Sequence, residues 1–256
     1  MKERHDFIIS TIKEAGELLV AEIEKGFEVS SKEGDSRNIL TEVDLIIDQF
    51  LKNKIKEKYP EEKIYSEEGG DEFGSLPMWS LDPIDGTSNF ARAIPHYAVV
   101  VAFIENGEAV VGAVFNPITR ELFSFEKGRG VFLNGKEIKS SEVKSIKDAY
   151  VLLHVGRKES LHEWGLRLQK ALLTSAKKNA NLGSSALDLA FLASGRIDAV
   201  VYGTMTTLDI AVAISMVRIA GGEVYDISGK PVILSKEPQQ IIATSTKDLF
   251  EEISSI

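Results

Sequence analysis

Cysteine is absent from the 256 residues, which excludes disulfides, thiolate zinc sites, iron–sulfur ligation and cysteine nucleophiles together. Long apolar runs are missing as well. The longest, such as Ala98 to Ile104, fall far short of the roughly 18 residues that a membrane-spanning helix needs. The charged stretch from Lys2 to Asp6 leads into an amphipathic segment rather than the apolar core of a secretory leader. Basic charge is in deficit, with 30 Lys plus Arg against 39 Asp plus Glu and a net charge of −9. No Lys/Arg block stands out, which argues against a sequence-independent grip on nucleic-acid phosphates. The expectation is a cytoplasmic protein with no membrane and no nucleic-acid partner. Its acidity suits a site that collects cations.

What is present is ordinary globular composition, 43% hydrophobic and 27% charged, in a chain long enough to bury roughly 75% of its unfolded surface. Apolar residues recur three or four apart from Phe7 through Ile8, Ile12, Ala15, Leu19 and Ile23, and again over Val43, Ile46, Ile47, Phe50, Leu51 and Ile55; both patterns predict amphipathic helices. Between Tyr97 and Phe125 β-branched and aromatic runs take over, broken at Glu105 to Glu108, and Asn134-Gly135 is a strong hairpin signal. Beyond about Ala149, strands near Val151 and over Ile197–Tyr202 alternate with helices at Trp164–Leu173, Ala186–Ala193 and Leu208–Ala220, the last closed by Gly221-Gly222. No repeat or linker marks a boundary. The reading is a single domain over 1–256 with two halves, 1–148 carrying helices beside an antiparallel sheet and 149–256 alternating strand and helix, of mixed α and β class.

Several familiar motifs fail. Gly130 to Lys136 spells G-x-x-x-x-G-K, but Glu137 replaces the Ser or Thr of a phosphate-binding loop and the setting is a hairpin. His5, His96, His154 and His162 show no metal-ligand spacing, and each reads as surface or satisfied core. No G-x-S-x-G nucleophile elbow occurs. Catalysis must rest on carboxylates and hydroxyls.

The carboxylates concentrate where strands end and helices begin. Met78 to Leu81 reads as a strand running into Asp82-Pro83-Ile84-Asp85-Gly86-Thr87. Pro83 fixes its φ and Gly86 permits a sharp turn, so the Asp82 and Asp85 side chains and the Ile84 carbonyl can converge on one point. Hard cations such as Mg²⁺ prefer that oxygen-only set. A helix starting at Thr87 would add an anion-binding end beside it; the alternative is a turn that merely caps a helix. Glu67-Glu68 follows the strand-like Lys63 to Tyr65 and, alone, reads as a solvated loop. Thr41 to Asp44 and Thr206 to Asp209 have the form of capping boxes.

On these residues the chain resembles the inositol monophosphatase family, which includes fructose-1,6-bisphosphatases and bisphosphate nucleotidases. The signature Asp-Pro-(Ile/Leu)-Asp-Gly-Thr followed by Asn-Phe stands intact as Asp82 to Phe90. Upstream, Thr-x-x-Asp appears as Thr41 to Asp44 and the Glu-Glu pair as Glu67 and Glu68. Downstream, the family's Trp-Asp-x-Ala appears as Leu208 to Ala211, before Ala220-Gly221-Gly222. The chain departs from the pattern at Asn38, often Asp; at Leu208, in place of Trp; and at Tyr202, where an inositol-contacting Glu is common.

The resemblance implies an α+β protein with the layered α-β-α-β-α sugar-phosphatase fold, working as a homodimer. It implies one Mg²⁺ held by Glu67, Asp82 and the Ile84 carbonyl, a second by Asp82, Asp85 and Asp209, and a weaker third by Asp44 and Glu67. Thr87, with Asp44 and Glu67, would assist water attacking phosphorus. Gly86 and Thr87 N–H groups would hold phosphate oxygens, Gly183, Ser184 and Ser185 would line the pocket beside Asp85 and Asp209, and Tyr202 and Arg92 would face the substrate. The implied activity is Mg²⁺-dependent hydrolysis of small phosphate monoesters, inositol 1-phosphate and/or fructose 1,6-bisphosphate, with Li⁺ sensitivity weakened by Leu208. The alternatives are a phosphatase acting on 3′-phosphoadenosine 5′-phosphate and a weakly catalytic regulatory binding protein.

Overall fold

A computed structural model describes residues 1–31, 39–74, 77–156, 158–235 and 237–256, without the side chains of Ser31, Ile39 and Asp209. Asn38 therefore lies outside the described residues, and so does the side chain of Asp209. The chain opens with helix α1 (Lys2–Lys25), the short strands β1 (Val29–Ser31) and β2 (Ile39–Thr41), and helix α2 (Glu42–Lys58). A first sheet follows: β3 (Lys63–Ser66), β4 (Met78–Asp85), then, past the one-turn helix α3 (Thr87–Phe90), β5 (Ala98–Glu105), β6 (Glu108–Asn116), β7 (Glu121–Glu126), β8 (Gly130–Leu133) and β9 (Lys136–Ile138). These seven strands lie side by side in chain order. Only β3 and β4 run parallel; the rest are antiparallel, joined by short turns except for β4 and β5, between which α3 lies.

A second sheet comprises β10 (Tyr150–His154), β11 (Lys178–Ala180), β12 (Ala199–Met205), β13 (Glu223–Asp226) and β14 (Gln239–Thr244), in the order β11-β10-β12-β14-β13. Its crossovers are α4 (His162–Ser175), α5 (Ser185–Ala193) and α6 (Thr207–Ile219), and α7 (Lys247–Ser254) ends the chain.

Side-chain alternation explains the layering. Along β5, Val99, Val101 and Phe103 pack with Ile8, Ile12, Leu19, Ile47 and Leu51 of α1 and α2, while Ala98, Val100, Ala102 and Ile104 pack with α5 and α6. An apolar run buried on both faces needs no polar alternation. Along β12, Val200 joins the α5 and α6 side and Ala199 and Val201 face Leu168, Leu172, Leu249 and Phe250 of α4 and α7. The result is five layers: α1 and α2, the first sheet, α5 and α6, the second sheet, α4 and α7. This is the α-β-α-β-α arrangement of an α+β fold. The middle helices bury against both sheets, so the two halves read from the sequence share one apolar layer. Each buried aliphatic side chain contributes about 1.5–3 kcal/mol through removal from water. At Gly16 an added Cβ would lie 2.4 Å from Cε1 of Phe115, so glycine is what lets α1 settle on β6.

The structure adjusts one sequence expectation and bears out another. The strand expected to stop at Leu81 continues to Asp85, with its register against β5 shifting between Asp82 and Asp85. Pro83 has no N–H to give a ladder, and an irregularity in pairing is where a strand tolerates it. The G-x-x-x-x-G-K run forms the β8–β9 hairpin, with Asn134 and Gly135 at φ 48° and 80°, a turn conformation and not a phosphate-binding loop. No described helix is long and apolar enough to cross a membrane.

Candidate active site

The site begins where β4 ends. Gly86 adopts φ 91°, and a Cβ there would lie 3.1 Å from the His96 carbonyl oxygen and 3.2 Å from Cβ of Ser184. Only glycine fits this turn and this approach. Directly after it, Thr87 opens α3, and its Oγ1 lies 2.9 Å from the Ile84 carbonyl oxygen and 3.4 Å from Asp44 Oδ1. One hydroxyl proton thus faces two acceptors, the carbonyl being nearer.

Asp44 arrives from α2. Its Oδ2 accepts from the Thr41 N–H at 2.8 Å and the Thr41 hydroxyl at 2.5 Å, while the Asp44 N–H reaches back to Thr41 Oγ1 at 3.4 Å. This is the expected capping box. Burial pushes the Asp44 carboxyl up to about 6, against the Thr41 hydrogen bonds and with help from the nearby charges of Glu68 and Glu67. Negative charge is therefore crowded here. One helical turn further, Asp48 accepts from Ser66 Oγ at the end of β3 and from Lys52 Nζ, and Lys52 also donates to the Gly69 carbonyl at 2.5 Å. Asp44, Asp48 and Lys52, four residues apart on one face of α2, thus tie the Glu67-Glu68 loop to the helix that carries Asp44.

Asp85 points to the middle layer. Its Oδ1 accepts from the Ser185 N–H at 3.1 Å and the Ser185 hydroxyl at 2.8 Å; its Oδ2 accepts from the Ala186 N–H at 3.0 Å and the Ser184 hydroxyl. A carboxylate from β4 therefore caps the first turn of α5 from about a hundred residues away. Burial raises its pKa, against the hydrogen bonds of Ser184, Ser185 and Ala186 and with a further contribution from Asp188. Asp82, also buried, accepts from the Ile84 N–H at 3.1 Å. Asn89 donates to the carbonyls of His96 and Leu182 at 2.8 Å each, fixing the loop before α5 against α3.

Asp44, Asp82, Asp85, Ile84 and Thr87 are thus gathered, with Gly86 between them and Gly183, Ser184 and Ser185 adjoining. Glu67 is exposed on its loop, its N–H bonded to the Leu81 carbonyl at 3.3 Å. Asp209 occupies the first turn of α6. Arg92 is exposed in the turn after α3 and makes no ion pair among the described residues. Among the described residues no three acidic side chains close on a point at coordinating distance. The donor set is nonetheless oxygen-only, and Glu68 and Glu67 add to the burial that raises the Asp44 pKa, so the chemistry fits Mg²⁺.

Sequence reasoning missed the network behind the pocket. A cavity of about 200 Å³ is bordered by Asp85, Ser185, His154, Tyr202 and Thr204. The Tyr202 hydroxyl, expected to face the substrate, donates to Asp188 Oδ2 at 2.6 Å. His96 Nε2 lies 2.9 Å from Asp188 Oδ1. Asp188 is fully buried, and a buried carboxylate demands such partners. The Tyr202 ring stacks on His154, with centroids 4.9 Å apart; burial lowers the His154 pKa, and its Nε2 has no hydrogen-bond partner among the described residues. The available signal was a lone Asp in the otherwise apolar run Ala186–Ala193. Two larger cavities, of about 780 and 560 Å³, lie elsewhere; neither is bordered by the gathered carboxylates.

Comparisons with known proteins show the family and the fold. The family model described as the inositol monophosphatase family matches residues 1–256. The fructose-1,6-bisphosphatase/inositol-1-monophosphatase of Thermotoga maritima is 34% identical over 228 residues, 89% of this chain and 86% of that protein. The Nus factor SuhB of Xylella fastidiosa is 33% identical over 249 residues, 94% of this chain and 90% of that protein. In three dimensions a Thermotoga maritima IMPase superposes with a TM-score of 0.89 at 30% identity, covering 99% of this chain and 96% of its own. A match that runs the length of the chain, with the Asp82–Phe90 signature set at its carboxylate cluster, means that the protein belongs to the inositol monophosphatase family.

Proposed function

We propose that the protein is a Mg²⁺-dependent phosphatase of small phosphate monoesters, acting on inositol 1-phosphate and fructose 1,6-bisphosphate as a cytoplasmic homodimer. The observation that carries this is Thr87 Oγ1 set between the Ile84 carbonyl and Asp44, with Asp82 and Asp85 at the same end of β4. Glu67, Asp82 and the Ile84 carbonyl would hold one ion, Asp82, Asp85 and Asp209 a second, and Asp44 with Glu67 a third. Bound Mg²⁺ supplies Lewis acidity and charge neutralisation. The chain's own part is positional and proton-handling. Thr87 Oγ1, between Asp44 and the Ile84 carbonyl, orients a water toward phosphorus and passes its proton toward Asp44. Gly86 and Thr87 N–H groups hold phosphate oxygens, and the alcohol leaves toward the cavity bordered by Ser185 and Tyr202. Water plus monoester gives alcohol plus inorganic phosphate.

Two observations bear on the substrate. The cavity beside Asp85, about 200 Å³, is below the roughly 300–1,000 Å³ of drug-sized ligand sites, which favours a compact polyol over an adenine nucleotide. Tyr202 spends its hydroxyl on Asp188, so it offers the substrate a ring face and no bidentate acceptor, and selection among polyols should be relaxed. Tyr202→Phe is then expected to lower stability by about 1.5–3 kcal/mol, through loss of a hydrogen bond to a charged group. It should change the ratio of kcat/KM for the two substrates less than threefold; chemical denaturation and paired kinetics check both. Tyr202→Glu would set a second carboxylate against Asp188.

The relatives named Nus factor SuhB support a second reading, a regulatory binding protein with little turnover. Initial rates over a panel of phosphate monoesters, with Mg²⁺ and with chelator, separate the two. Chelator-sensitive turnover supports the phosphatase; none on any ester rejects it.

The Asp44 shift adds a pH test. Its pKa rises from 3.8 to about 6 on folding, so the metal-free fold binds this proton more tightly than the unfolded chain does. Asp44 therefore makes the metal-free protein more stable as pH falls from 7 through 6 toward 4. Cation binding needs the ionised form, so the Mg²⁺ midpoint of a thermal-shift titration should be about fourfold higher at pH 5.5 than at 7.5. An unchanged midpoint would remove Asp44 from the ion site.

A further inference from the structure

The cavity of about 560 Å³ on the outer side of the first sheet takes no part in the chemistry above. One wall is a stripe of α1, with His5, Ile9 and Lys13 four residues apart; the β8–β9 hairpin and the β6–β7 turn close the others. Its floor is apolar: Phe115 and Leu122 are buried, and Phe132 flanks them. Its rim carries Lys13, Arg120 and Arg129, and no carboxylate is among the described residues that border it.

The neighbouring acids neutralise the rim only in part. Arg129 pairs with Glu126 at 2.8 Å, and Arg120 is 3.9 Å from Glu17. Lys13 has no ion-pair partner among the described residues. The His5 Nδ1 is 3.9 Å from Asp6, and its other ring nitrogen is buried without a partner.

Backbone strain at one rim residue is a second, independent sign. Arg120 sits in the left-handed region at φ 56°, where Gly or Asn is at home and a long side chain costs roughly 1–2 kcal/mol. Strain of this kind collects at functional positions.

We propose that this cavity binds a small amphipathic anion, a planar apolar body bearing one sulfonate, carboxylate or phosphate. The body lies on Phe115, Leu122 and Phe132. The anionic head lies among Lys13, Arg120 and Arg129, where charge-assisted hydrogen bonds are the strong ones. This site is independent of the phosphatase reading, since none of its residues adjoins Asp44, Asp82 or Asp85.

The test uses the full chain and 8-anilinonaphthalene-1-sulfonate, followed by fluorescence. Wild type should bind the probe with a Kd below about 100 μM, and a saturating concentration of inositol 1-phosphate should not displace it. Arg120→Gly removes the head-group contact and the strain together, so its Tm should equal or exceed that of wild type while the probe binds about tenfold more weakly. Lys13→Gln with Arg120→Gly should weaken it further. Uncharged 1-naphthalenemethanol should compete at least tenfold less well than naphthalene-1-sulfonate or naphthalene-1-carboxylate. Unchanged affinity in the double variant, displacement by inositol 1-phosphate, or equal competition by the uncharged alcohol each overturns the proposal.

Discussion

Asp85→Asn is expected to lower turnover at saturating Mg²⁺ by at least about a hundredfold, the scale of losing a charge that acts on the transition state. The same change should cost stability. Asp85 receives four donors from Ser184, Ser185 and Ala186, and an amide has one accepting oxygen while its NH₂ faces donors. Loss of these caps should cost about 2 kcal/mol, so both denaturant midpoint and initial rate are needed. If the folded variant keeps more than a tenth of the wild-type rate, Asp85 takes no part in the chemistry.

The second large effect concerns folding alone. Asp188→Ala leaves Tyr202 Oη and His96 Nε2 without the carboxylate they share, in surroundings where an unsatisfied polar group costs about 1–3 kcal/mol. It also opens space inside α5. A loss of about 3–5 kcal/mol is expected, read as a shift in urea midpoint at constant slope. Asp188→Asn can keep one accepting oxygen for Tyr202 and should lose about half as much. Equal losses for the two variants would show that shape, and not hydrogen bonding, holds this position.

Much of the fold was legible because its signals are local. The apolar spacing from Ile8 to Leu19 and from Val43 to Ile55 marks α1 and α2, and Asn134-Gly135 marks the β8–β9 turn. The Thr41–Asp44 capping box and the Asp82–Thr87 run are also local; spacing alone points to Asp82, Asp85 and the Ile84 carbonyl, while the site role of Asp44 comes from the family resemblance. What spacing cannot carry is contact across distance. Asp188 meets His96 over 92 residues, and Asp85 meets Ser184 over 99. The resemblance sets Tyr202 facing the substrate, and the fold adds that its hydroxyl donates to a buried carboxylate. Pro83 misled in the other direction: it looks like the end of a strand, yet pairing resumes past it at Asp85.

The capping of α5 by a strand of the other sheet also bears on the order of folding. Helices α1 and α2 have only local requirements for their backbone bonds, but the first turn of α5 and the carboxylate of Asp85 complete each other only once segments about a hundred residues apart have met, a step that carries a large loop-closure entropy. In a refolding experiment, helical signal should therefore return before activity, and the lag between them would time the docking of the middle layer onto the first sheet.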